Sequence, residues 1–427
     1  MAFRLLDGMA LGAASAATQI EGGDCNSSWN DWYRRGRISD GSDPARADDH
    51  WNRWREDADL MAEMGIRYYR LGIEWARLCP ARGGVDEQAV AHYREELTYL
   101  CGKGIAPLLT LHHFTNPMWF EEKGGFEKAE NLDDFLDFVK LAVLRFGDLV
   151  SEYITINEPN VYATEGYYFG HWPPGVKSLR RAITVMSHMA VCHIKAYALI
   201  HRLRREMGFD DTRVSFANHM RVFDPAMPRN FYHRVCARLL EHFFQGAITG
   251  AFCLGAFKWP LRKAPEVAPG EYIDFIAVNY YTRTTVYGFG DGTRYGVPKN
   301  DLGWEIYPDG IVHCCKRHLE IIRRPVWITE NGTCDEFDLF RSRYIYEHLE
   351  ALVLSGLPIE RYYHWCFCDN FEWIEGESAR FGLVHVDYGT QARTVKKSGC
   401  FYADIIRNRG VTEEMYEKYV KDESYHF

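Results

Sequence analysis

No Cys-x-x-Cys occurs among the 12 cysteines of this 427-residue chain, whose closest pairs are Cys314-Cys315 and Cys366-x-Cys368. That excludes a zinc framework and a thioredoxin-type motif, and the density is too low for a disulfide scaffold. The cysteines read as reduced thiols packed as small apolar residues in a cytoplasmic protein. No uninterrupted apolar run approaches the roughly 20 residues that span a bilayer. Positive charge is not in excess: 50 Lys and Arg stand against 59 Asp and Glu, a net charge of −9. This argues against a nucleic-acid surface or an anionic membrane as partner. The apolar stretch Met9–Ala17 has no basic segment before it and runs directly into Thr18-Gln19-Ile20-Glu21-Gly22-Gly23, so it reads as part of the fold and not as a leader. No Gly/Ser/Pro linker, charge block or short repeat divides the chain, which points to one domain over residues 1–427.

What is present is material for a large core: 47% hydrophobic against 26% charged residues. Short apolar runs ending in polar residues recur eight times: Leu11–Thr18, Ile66–Ile73, Ile105–His113, Tyr153–Glu158, Val214–Asn218, Phe275–Tyr281, Val326–Glu330 and Tyr362–Phe367. Helical spacing fills the gaps. Asp48 or Asp49 is placed to cap a helix carrying Trp54, Ala58, Met61 and Met64 near one face, ended by Gly65. Leu132, Phe135, Phe138, Val139 and Ala142 keep the same period up to Phe146 and Gly147. Strands apolar throughout, alternating with helices, imply a parallel sheet covered by helices, and the length suits a (β/α)8 barrel with insertions in its βα loops. An open doubly wound sheet would need a Gly-rich phosphate loop after the first strand, and none is found.

In such a barrel the carboxyl ends of the strands line the site. The polar residues there are Gln19, Arg70, His113, Asn157 with Glu158, Asn279 with Tyr281, Glu330, and Trp365 followed by Glu372 and Trp373. They include no His/His/Asp or His/Cys metal cluster, and no cofactor is called for. Glu158 and Glu330, 172 residues apart, end the fourth and seventh strands. Two carboxyls facing one cavity suit glycosidic cleavage, where the leaving oxygen needs a proton and the anomeric carbon needs an attacking oxygen. Pro159 is expected to hold Glu158 in extended geometry at the strand end. Taken singly, His113, Trp365, Trp373 and Phe381 read equally as core residues, and His112 is expected to be structural.

The motifs Ala17-Thr18-Gln19-Ile20-Glu21-Gly22, Leu111-His112-His113-Phe114, Thr155-Ile156-Asn157-Glu158-Pro159, Val278-Asn279-Tyr280-Tyr281, Ile328-Thr329-Glu330-Asn331-Gly332 and Asp369-Asn370-Phe371-Glu372-Trp373 carry a resemblance. The chain resembles glycoside hydrolase family 1, the β-glucosidase-like retaining enzymes, over essentially its whole length. The resemblance implies Glu158 as acid/base and Glu330 as nucleophile in a double displacement through a covalent glycosyl-enzyme. It implies Gln19, His113, Asn157, Glu372 and Trp373 as hydroxyl-binding residues, Trp365 as the sugar platform and Trp304 as an aglycone wall. Arg70, Tyr281 and Asn279 are implied as supports of the nucleophile. The implied partner is a small β-glycoside or oligosaccharide, glucosides first, with galactosides or fucosides also accepted. Self-association is left open.

Glu372-Trp373 followed by Ile374-Glu375-Gly376-Glu377 disfavours the 6-phospho-β-glucosidase alternative, because carboxylates repel a sugar phosphate. A catalytically silent carbohydrate-binding relative would lack one glutamate, and a thioglucosidase would lack Glu158. The chain departs from the family pattern at His113-Phe114-Thr115-Asn116-Pro117 and Leu71-Gly72-Ile73-Glu74-Trp75. Its loop from Gly332 to Arg341 is short, which is expected to open the aglycone side to longer or bulkier substrates.

Overall fold

The computed structural model describes residues 2–288 and 290–427. Eight parallel strands follow one another around a closed sheet: β1 (Ala10–Ala14), β2 (Tyr68–Gly72), β3 (Ala106–Thr110), β4 (Glu152–Asn157), β5 (Arg213–Pro225), β6 (Ile276–Tyr287), β7 (Val326–Asn331) and β8 (Ile359–Trp365). β8 pairs with β1, and β5 pairs with β6, so no edge is left open. The (β/α)8 architecture expected from the alternating runs is therefore the observed one. Most buried apolar side chains belong to one contiguous cluster.

Two strands are longer than their apolar runs. β5 and β6 stay paired from Ala217↔Ala277 to Pro225↔Val286, through an irregularity between Met220 and Val222, and β6 continues into a hairpin with Gly290–Gly292. The first run is shorter than expected. Strand β1 stops at Ala14, and Gln19 lies on a four-residue helix, α1 (Ala17–Ile20).

Around the barrel run α2 (His50–Glu63), α3 (Glu87–Gly102), α4 (Leu132–Phe146), α5 (Pro159–Ala163), α6 (Leu179–Glu206) and α7 (Phe231–Glu241). In α4 the periodic residues Leu132, Phe135, Phe138, Val139, Ala142 and Phe146 are all buried. Each large side chain so buried contributes about 1.5–3 kcal/mol, and Phe138 stacks on Trp75 at 5.2 Å. Gly65 ends α2 with φ +79°, a conformation that costs glycine nothing.

The cap of α2 differs from expectation. Asp49 occupies the N-cap position with φ 53° and ψ 28°, a left-handed geometry, and its side chain caps no backbone N–H. It accepts instead from the Asn52 amide at 2.6 Å. α6 is long and apolar enough, by length and composition, to cross a membrane, although Ser187, His193 and Lys195 interrupt it. In this fold 61% of its apolar window is buried, and it packs on α4.

Candidate active site

Side chains from β2, β4, β6 and β7 meet in one buried hydrogen-bond chain. Arg70 on β2, fully buried, donates through Nη1 to Glu330 Oε1. Its Nη2 donates to Asn157 Oδ1 at 2.6 Å, and its Nε donates to Thr110 Oγ1 at 3.0 Å. Asn279 Nδ2 donates to Asn157 Oδ1 at 3.0 Å and to Glu158 Oε1 at 2.7 Å. The two glutamates are thus the ends of the path Glu330–Arg70–Asn157–Asn279–Glu158. Tyr281 Oη donates to the other Glu330 oxygen at 2.6 Å. With a cation and a phenol both donating to it, Glu330 is built to be held as an anion.

Glu158 sits in the turn from β4 into α5 with φ 42° and ψ 61°. The expected extended geometry before proline is overridden. Pro159 is the first residue of α5, where its missing N–H is no loss, and the chain must turn within one residue. Left-handed backbone at a non-glycine residue costs about 1–3 kcal/mol and is found where the surrounding structure fixes it. Here the Glu158 N–H is held by the Ala217 carbonyl of β5 at 2.8 Å, and its carbonyl accepts from Tyr162 at 3.0 Å.

Burial pushes the Glu330 carboxyl up to about 7; the Arg70 charge and Tyr281 oppose this, and the Glu158 charge adds to it. At Glu158 burial also raises the carboxyl, but an imidazolium at His219, helped by Asn279 and Arg70, outweighs it and holds the group below the ordinary range. That ordering requires a charged His219. Arg221 Nη2 lies 3.0 Å from His219 Nε2, and a guanidinium only donates, so Nε2 must be an acceptor. His219 is then a neutral ring whose Nδ1–H donates to Glu158 Oε1 at 3.1 Å. Without the imidazolium charge, burial and the neighbouring Glu330 anion make Glu158 the carboxyl that keeps the proton. Among the described residues no carboxylate lies at ion-pair distance from Arg221; its guanidinium also donates to Thr284 at 3.3 Å and lies over the Phe244 ring at 5.1 Å.

A cavity of about 660 Å³ opens above this floor. His113, Glu158, Tyr281, Trp304, Glu330, Trp365, Glu372 and Trp373 line it. Gln19, Arg70, Asn157 and Asn279 do not line it; each is fully buried behind the wall. Gln19 Nε2 donates to Glu372 Oε2 at 3.2 Å and to the Phe371 carbonyl at 2.9 Å, leaving Gln19 Oε1 buried without a partner. Asn157 Nδ2 donates to His113 Nε2 at 2.9 Å, which leaves the His113 proton on Nδ1, also unpartnered. Burial, with Arg70 and His112 adding, drives His113 far below the usual histidine range, so it stays neutral. Burial and the Glu330 charge raise Glu372 to about 8.

Asn279 departs from its expected role. It is the register partner of Glu330 across β6 and β7, yet the Thr329 hydroxyl occupies its carbonyl oxygen at 2.7 Å and its amide turns toward β4. It supports Glu158 and not Glu330. Trp373 and Trp365 pack on the His113 ring at 5.8 and 5.7 Å, and Trp304 packs on Tyr281 at 5.9 Å and on Phe381 at 6.0 Å. Phe381 is both a core ring and a cavity wall. His112 is structural: it contacts Asn116 at 3.1 Å and is packed among Phe126, Phe135 and Tyr162. Among the described residues no His, Cys, Asp or Glu group is arranged to hold a metal ion.

A closed parallel barrel with two buried carboxyls at the ends of its fourth and seventh strands defines the class as a (β/α)8 barrel whose cavity holds a carboxyl pair. The glycosyl hydrolase family 1 model matches residues 3–411, and the chain belongs to that family. It is 31% identical to a 1,4-beta-D-glucan glucohydrolase of Thermotoga neapolitana over 95% of this chain and 99% of that one. A beta-galactosidase of Pyrococcus woesei is 28% identical over 96% of this chain and 98% of its own length. Among solved structures, a beta-glycosidase from Pyrococcus horikoshii matches with a TM-score of 0.88 at 32% identity, covering 98% of both chains.

Proposed function

We propose that this O-glycosyl hydrolase is a retaining β-glycosidase that removes terminal, non-reducing, unphosphorylated β-linked sugars, glucosides first and galactosides or fucosides second. The observation that carries this is the unequal setting of the two carboxyls. Glu330 is ion-paired to Arg70 and hydrogen-bonded by Tyr281, which suits a nucleophile. Glu158 faces a neutral imidazole and an amide, which suits a proton donor.

Glu330 attacks the anomeric carbon while Glu158 protonates the departing oxygen, giving a glycosyl ester and a free aglycone. Glu158, now a carboxylate, takes a proton from the incoming water, which opens the ester and restores Glu330. Inversion twice returns the β configuration. Trp365 serves as the sugar platform and Trp304 as the aglycone wall, with His113, Glu372 and Trp373 binding hydroxyls directly. The unpaired Gln19 Oε1 and His113 Nδ1 support hydroxyl recognition, since a substrate hydroxyl satisfies atoms that otherwise stay unpaired. Glu375 in the lining has the wrong sign for a phosphate. The whole chain, 1–427, acts as one catalytic unit, and its twelve free cysteines, nine of them buried, support work in a reducing cytoplasm.

Turnover of aryl β-glucoside, galactoside, fucoside, mannoside, xyloside and glucoside 6-phosphate tests reaction and sugar together. The glucoside is expected to be hydrolysed and the phosphate inert; a folded protein inactive on the whole panel overturns the proposal. Glu330→Gln is expected to lower kcat by several orders of magnitude on every substrate. Glu158→Ala is expected to cost about 10²–10⁴-fold on alkyl glycosides, whose leaving group needs the proton, and far less on activated aryl glycosides.

A further inference from the structure

We infer that the preferred glycosides carry a long apolar aglycone, an alkyl or fused-ring tail, taken from solution as a dissolved amphiphile. The inference rests on the glycosidase reading above. The cavity of about 660 Å³ falls within the roughly 300–1,000 Å³ of sites that enclose a drug-sized ligand, more than one sugar ring fills. Many of its polar groups gather at the carboxylate floor, with Glu165, Arg221, Asp291 and Glu375 beyond it, and two of its upper walls are apolar helix faces.

One wall is the start of α6. Leu179, Ala182, Ile183 and Met186 all line the cavity, at spacings of i, i+3, i+4 and i+7. That is the apolar stripe a surface helix ordinarily turns onto a core; here it is turned onto the cavity. The other wall is the end of α7 and the π-helical turn His242–Gly246, where Leu239 with Phe243 and Leu240 with Phe244 form two i, i+4 pairs on one face. The stripe reaches the rim: Leu179 is 57% exposed, Phe169 45% and Leu239 37%. Such a patch, continuous with a reaction site, marks what that site binds.

A glucan chain is the competing occupant. Each added glucose brings hydroxyls that need partners, and of the charged side chains above the floor Glu165 and Arg221 are already engaged, which leaves Asp291 and Glu375 to serve them. Glu165 accepts from His171 at 3.0 Å, and Arg221 is tied to His219 and Thr284. Hydroxyls buried against leucine and phenylalanine go unsatisfied. A net charge of −9 also disfavours collection from an anionic bilayer, hence the dissolved amphiphile. The short loop after Glu330 is compatible with this: none of residues 332–341 lines the cavity, so the aglycone walls come from elsewhere.

The test is kcat/KM for n-alkyl β-glucosides from methyl to octyl, below their aggregation concentrations, beside cellobiose to cellotetraose. From butyl to octyl we expect a rise of about two- to fourfold per methylene, the factor that burial of one methylene supplies, and a flat cello-oligosaccharide series. Ile183→Asp should reduce the octyl-to-methyl ratio at least tenfold; Leu179→Asp, at an exposed position, is the second variant should the first not fold. Hydrolysis of short glucosides with a flat alkyl series, or a steeper gain on cello-oligosaccharides, overturns this inference alone. Inactivity on every glycoside overturns the glycosidase reading and this inference with it.

Discussion

Tyr281 and Arg221 tune the two carboxyls from different directions, one by contact and one through a histidine. Tyr281 donates to Glu330 and favours its ionised form, so Tyr281→Phe raises the Glu330 pKa. The expected result is an acid limb of the kcat/KM–pH profile displaced to higher pH, with kcat lowered. Arg221 holds His219 neutral. Tyr281 was legible in the sequence because it closes a motif at the end of an apolar run. Arg221 and His219 were not. They follow the apparent end of the fifth strand at Asn218, in a mixed stretch, His-Met-Arg-Val-Phe-Asp-Pro, whose strand character comes from pairing with β6. The only sequence signal for His219 was a polar residue just past a strand end.

At the scale of single elements, the periodic helices could be read directly, whereas their ends were decided by contacts far away in sequence. α2 shows why. Asp48 and Asp49 looked like caps, but the first buried residue of the helix, His50, lies between Asp57 Oδ2 at 2.7 Å and Glu96 Oε1 at 3.0 Å, joining α2 to α3. Burial works against the imidazolium, but Glu96 and Asp57 raise it to about 10. A pKa raised in the folded state stabilises fully below the unfolded value of about 6.5 and is lost as pH climbs through about 10. Urea unfolding is expected to give stability falling by a few kcal/mol from pH 6.5 to 10 in the wild type. The decline should be much flatter in His50→Gln, which should itself cost about 3–5 kcal/mol near pH 7 by leaving buried carboxylates uncompensated. At the end of β7, a Cβ on Gly332 would sit 1.8 Å from the Trp365 carbonyl. Gly332→Ala is expected to cost about 1–3 kcal/mol, read as a lower Tm, and to raise KM by displacing Trp365 in the cavity lining.

Across the whole molecule, eight apolar runs sufficed to predict a closed parallel barrel, since strands buried on both faces must be apolar throughout. What the runs did not contain was the left-handed turn at Glu158, the π-helical turns at Thr164–Phe169 and His242–Gly246, or the extra length of β5 and β6. Each is set by tertiary contact, with no local pattern to announce it. The hydrogen-bond path from Glu330 to Glu158 crosses β2, β4 and β6, so opening any one of them breaks it. Activity in rising urea is accordingly expected to fall before or together with far-UV circular dichroism, and never after it. The prolonged pairing of β5 with β6 runs on past the Glu330–Glu158 path, while Glu330 is rooted in β7 and Glu158 follows directly on β4. Segments beyond that path can be lengthened, trimmed or exchanged without disturbing the rooted pair. A lineage built this way can change the glycosides it accepts many times over while its bond-breaking chemistry stays as it was.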